Sequence, residues 1–197
     1  MRRSFKLLSL AAVATTSFSS AALAHVGEHS HMSVAEGLLH PFSGLDHVLA
    51  MLAVGLWASQ LGGRALWLLP LTFPAVMALG AALGMSGVVL PGVEIGIAGS
   101  VLVLGAAVAL ALRPSLAVSV PLIAAFALLH GYSHGVELPA SVSAFGYGAG
   151  FIAATLALHA IGIAIGVVAG RIPVRFAART AGGAIAGVGA ALLVMPH

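Results

Sequence analysis

Apolar residues fall in six long runs along this chain, and most polar residues are confined to the breaks between them. The runs, at roughly 45–61, 65–84, 93–112, 115–134, 142–168 and 177–195, each approach the ~20 residues that carry a helix across a bilayer core. The pattern predicts an all-α polytopic membrane protein, with six transmembrane helices in a domain spanning residues 40–197. Only Arg113-Pro114-Ser115 parts the third run from the fourth, which predicts a tight helical hairpin, because bare backbone is not stable in lipid.

Ahead of the runs the pattern changes twice. Residues 1–24 read as a cleavable signal peptide: Arg2, Arg3 and Lys6 make a basic start, Leu7 to Val13 an apolar middle, and Ala22-Leu23-Ala24 a small-x-small cleavage site. Residues 25–39 follow as a periplasmic, His-containing tail whose first part, His25 to Met32, is too polar to pack and should be mobile. Export of this tail fixes the orientation of the rest. Breaks one, three and five then face the cytoplasm, and they hold Arg64, Arg113, Arg171 and Arg175, with Arg179 at the start of the last run. The outer breaks hold no Arg or Lys, as the positive-inside rule requires. The chain is thus expected in a bacterial inner membrane with both mature termini in the periplasm.

Composition narrows the chemistry. Charged residues make up 7% of the chain and hydrophobic residues 60%, whereas a soluble domain is about a quarter charged. Removing the leader's three basic residues leaves five Arg against five acidic residues, so no basic surface for nucleic acid remains. There is no Cys, which excludes disulfides and thiolate sites and leaves imidazole, carboxylate and thioether as ligands. Small residues at Gly80 and Gly84, at Gly162, Gly166 and Gly170, and at Gly183 and Gly187 suit close helix packing. Pro70, Pro74 and Pro121 each remove a helical hydrogen bond.

Two polar clusters hold most of the remaining chemistry. His130, His134 and Glu137 stand at i, i+4 and i+7 at the end of the fourth run, so they share one helix face. His40, Asp46 and His47 open the first run, at the same outer end of the bundle. Ionisable groups at membrane depth cost several kcal/mol unless they find partners inside the bundle, which makes them functional candidates. Asp46 also suits the role of a helix cap, but a cap accounts for neither His40 nor His47. His25 with its free amino group, Glu94 at the outer end of the third run and the deeper His159 are further candidate metal contacts. Imidazole with carboxylate suits nickel, cobalt, zinc or copper(II).

The motifs His40-Pro41-x-x-Gly44-x-Asp46-His47-x-x-Ala50-Met51-x-x-Val54-Gly55-x-x-Ala58 and His130-Gly131-x-x-His134-Gly135-x-Glu137-x-Pro139 resemble the HupE/UreJ family of nickel and cobalt permeases. The likeness runs over essentially the whole mature chain. It implies a secondary transporter of Ni2+ or Co2+, with His40, Asp46, His47, His130, His134 and Glu137 as metal ligands. It also implies no resident cofactor, no enzymatic activity, and a link to hydrogenase or urease maturation. Two other readings use the same residues. Gly131-Tyr-Ser133-His-Gly135 fits the G-x-S-x-G pattern of serine hydrolases, and the His/Asp clusters suit a metal-dependent intramembrane hydrolase. A membrane metal sensor that binds without conducting is the third.

Overall fold

The computed structural model describes residues 28–139, 141–171 and 176–195. The leader at 1–24, His25 and Arg175 lie outside them. Among the described residues the chain is all-helical: α1 Glu28–Leu39, a 3-10 turn His40–Phe42, α2 Leu45–Leu61, α3 Ala65–Met85, α4 Val93–Ala109, α5 Leu116–Glu137, α6 Ala144–Arg171 and α7 Ala177–Val194. α2 to α7 are the six runs. By length and apolarity α3, α5, α6 and α7 can each cross a bilayer, and α1 with α2 makes a fifth candidate bent by 81° at the turn. α4 is apolar but shorter.

α1 departs from expectation. The sequence predicts a mobile polar tail through Met32, yet Glu28–Leu39 is helical and lies against α6. The contact is made through glycines. Gly37 faces the backbone carbonyl of Tyr147, and Gly150 faces that of Val34.

Close backbone approach recurs through the bundle. Gly80 and Gly84 of α3 abut the carbonyls of Leu128 and Tyr132, while Gly131 and Gly135 of α5 abut those of Met77 and Ala81. Residue numbers rise together along both helices, so α3 and α5 run parallel with glycines on each side of the seam. Gly55 and Gly162 join α2 to α6 in the same parallel sense, and Gly105, Gly182 and Gly189 join α4 to α7 antiparallel. At Gly170, Gly183 and Gly187 an added Cβ would meet nothing within 4 Å among the described residues, so these three do not serve the close packing expected of them.

α4 ends at Ala109, short of the expected boundary, because Ala111 takes a positive φ of 51° and unwinds the chain ahead of Pro114. Carbonyls at and beyond this end are taken up by other helices: Gln60 Nε2 donates to Val108 O at 3.0 Å, Arg179 Nε to Ala109 O at 2.7 Å, and Trp57 Nε1 to Leu112 O at 2.9 Å. Arg64, Arg113 and Arg179 therefore gather at the end of the bundle opposite His47 and His134. The outward faces are apolar, with Leu71, Leu79, Ile95 and Ile161 each at least half exposed, as befits lipid contact.

Candidate metal centre

The start of α2 and the end of α5 run in opposite directions, and their His residues meet. His47 packs against His130 and His134, with ring centroids 4.8 and 4.4 Å apart. The 3-10 turn brings His40 onto His134 at 4.9 Å. The four imidazoles form one file, in the order His40, His134, His47, His130. His40 is half-buried, with 30% of its side chain exposed, whereas His134, His47 and His130 are all buried and His130 wholly so.

At the outer end, one ligand atom each from His40, His134 and Glu137 lies within 4.8 Å of the others. Glu137 Oε2 is 3.9 Å from both His40 Nε2 and His134 Nδ1. The Glu137 carboxylate is over half exposed, so this trio is open to the outside. Its other oxygen, Oε1, accepts from Ser133 Oγ at 3.2 Å. Ser133 thus sits on a continuous helix and holds the carboxylate; the strand-to-helix elbow of a serine hydrolase is not formed around it.

Asp46 does not join the trio. Its Oδ1 accepts from the His47 backbone N–H at 2.8 Å and from His47 Nδ1 at 2.7 Å. A carboxylate has no proton to give, so Nδ1 carries the hydrogen, and in the neutral ring the lone pair is then on Nε2. His130 is set the same way by a residue that sequence reasoning missed. Ser100 Oγ on α4 donates its one proton to Ile97 O at 2.6 Å and lies 2.8 Å from His130 Nε2. With the proton so placed, the hydroxyl accepts from Nε2–H, the tautomer in which the His130 Nδ1 lone pair is free. These are the outer partners that commonly orient metal-binding imidazoles.

What remains is a set of buried nitrogens without hydrogen-bond partners: His47 Nε2, His130 Nδ1 and both nitrogens of His134. An unsatisfied buried polar atom costs about 1–3 kcal/mol, so these nitrogens are the atoms of the site that a ligand would relieve. Tyr147 and Phe151 of α6 wall the site, the first against His40 at 5.4 Å and the second against His134 at 4.3 Å between ring centroids. Glu94 stays apart from the trio and lines an open groove with Tyr132, Ser133 and Glu137. His159 lies deeper in the bundle.

A family model described as HupE / UreJ protein matches residues 13–192. Protein HupE of Rhizobium leguminosarum bv. viciae is 49% identical over 182 residues, covering 92% of this chain and 95% of its own. No solved structure matches the chain.

Proposed function

We infer, starting from the chain's being a multi-pass membrane protein that belongs to the HupE / UreJ family, that it is a permease importing Ni2+ or Co2+. The file of four imidazoles carries the reading. A sensor needs one closed site, whereas here donors continue from an exposed carboxylate to a fully buried ring, as a path through lipid requires. In this reading His40, His134 and Glu137 take the ion from water, and His47 and His130 draw it inward. Asp46 acts mainly by holding His47, and Glu94 gathers cations in the adjoining groove. Imidazole with carboxylate suits nickel and cobalt and gives no reason to expect magnesium or calcium. Such a path needs no catalytic group, and the ion is cargo.

The membrane potential suffices as a driving force. A divalent cation gains roughly 4.6 kcal/mol per 100 mV on entering the cell, an accumulation on the order of a thousandfold. All six runs cross the inner membrane in this reading, α4 included, after the leader is removed. The imported ion would supply a metalloenzyme maturation route such as that of hydrogenase or urease.

Uptake of radioactive nickel and cobalt into cells expressing the protein tests the reading directly. Uptake no greater than in cells lacking the protein, with the chain correctly inserted, would sink it. Orientation is tested separately, since the chain has no Cys of its own. A membrane-impermeant thiol reagent applied outside should label Ser141→Cys and leave Arg64→Cys unlabelled. The opposite pattern would invert the proposed direction of the path.

Ser100→Ala should weaken metal affinity by about 10- to 100-fold, the usual effect of losing an outer partner of a metal-binding imidazole. Isothermal titration of purified protein reads it, and unchanged affinity would mean that the Ser100 hydroxyl does not set His130.

A further inference from the structure

The file of imidazoles stops at His130, yet α6 carries another beyond it. Tyr147, Phe151, Thr155 and His159 recur every four residues and so make one stripe along α6. The first two touch the rings of the outer site. The last two are almost wholly buried, at 0% and 1% exposure, and Thr155 Oγ1 and both nitrogens of His159 lack hydrogen-bond partners. A second line of contacts leads to the same place. The Phe73 ring lies 5.6 Å from that of His130 and 5.4 Å from that of His159, so one phenyl group touches both the end of the file and the deeper imidazole.

A third donor stands ready on α3. Pro74 has no N–H, so the Pro70 carbonyl lacks its helical partner, and it faces His159 without meeting hydrogen-bond geometry. α2 closes the remaining side, where Gly55 lets its backbone lie against the His159 carbonyl. Thr155 Oγ1 and both His159 nitrogens, buried without partners one turn apart on α6, are unfavourable unless something visits them.

We propose that His159, with the Thr155 hydroxyl and the Pro70 carbonyl, is an inner station where a transition-metal ion rests after it leaves the outer imidazoles and passes Phe73. The station rests on the permease reading above and adds to it a halfway point. A doubly charged ion released from His130 into an apolar core would face a steep desolvation barrier, and donors near the middle of α6 divide that barrier in two. One imidazole with two neutral oxygens holds the ion more weakly than the outer set with its carboxylate. The ion can therefore leave inward.

The test separates capture from passage. Wild type, His159→Ala, His159→Gln and Thr155→Val are compared for nickel affinity in purified protein and for initial uptake rate at saturating nickel in cells, at matched membrane abundance. His159→Ala and His159→Gln should keep the outer affinity within about twofold while the maximal rate falls at least about tenfold; Thr155→Val should slow uptake several-fold. The Gln variant is decisive. It fills the space and can donate to the Pro70 carbonyl but is a poor ligand for nickel, so wild-type uptake by His159→Gln would make His159 a packing group and overturn the proposal. If His159→Ala fails to insert, the Gln and Val variants distinguish the two outcomes without it. Failure of the permease reading would look different, because the wild type itself would then take up no nickel.

Discussion

His134→Ala is expected to abolish metal uptake, with a loss of at least about 100-fold in metal affinity, beyond the 10- to 100-fold typical of an outer partner. His134 is the hub of the site. Its ring packs on His40, His47 and Phe151 at 4.9, 4.4 and 4.3 Å, and its Nδ1 is 3.9 Å from Glu137 Oε2. Removing it takes a donor from the outer trio and breaks the file between His40 and His47. Glu137→Gln should do less, because an amide oxygen can still accept from Ser133 and remains a weak ligand. Equilibrium nickel binding and uptake, both normalised to protein in the membrane, measure the two variants. Uptake within twofold of wild type in His134→Ala would remove the two-helix site from the mechanism.

Gly131→Ala is expected to have the largest effect on assembly. A Cβ at Gly131 would land on the backbone carbonyl of Met77, and backbone cannot turn aside as a side chain does. α5 would have to move off α3, breaking contacts at Gly80, Gly84 and Gly135 as well. Overpacking of this kind costs about 1–3 kcal/mol and more where the neighbour is rigid. Gly99→Ala is the matched control, since nothing lies within 4 Å of the added methyl. Thermal unfolding in detergent should show Gly131→Ala clearly less stable than Gly99→Ala, together with lower membrane abundance and weaker nickel binding. Equal stability of the two would mean that the α3–α5 seam is looser than its geometry requires.

The helices were legible in the sequence because lipid demands long apolar runs, and α2 to α7 begin within two residues of expectation. The stripe of His130, His134 and Glu137 was legible too, since spacing alone places it on one face. Partnership was not. These helices are apolar nearly all round, so no amphipathic face announces that α3 packs on α5 or α4 on α7. Ser100 escaped notice for that reason: its meaning depends on α4 lying beside α5. Spacing puts Asp46 beside His47, but the two bonds it makes to that residue arise from geometry that spacing cannot reveal. α1 was missed because a polar stretch holding His29 and His31 gives no packing signal until Gly37 and Gly150 let two backbones touch.

The 81° turn between α1 and α2 sets His40 among apolar side chains that face outward. Leu39, Phe42 and Leu45 flank His40 and stand 67%, 55% and 60% exposed, so the turn wears an apolar fringe at the mouth of the bundle. Such a fringe sinks to the depth where the acyl chains begin. His40 and His134 both sit next to glycine-locked helices, α1 against α6 and α5 against α3, but only His40 lies on a turn whose neighbours face outward. Bilayer thickness therefore bears on His40 more directly than on His134. In the permease reading proposed above, capture of the ion at His40 would then follow the lipid composition around the turn, which uptake compared between thin and thick bilayers would read.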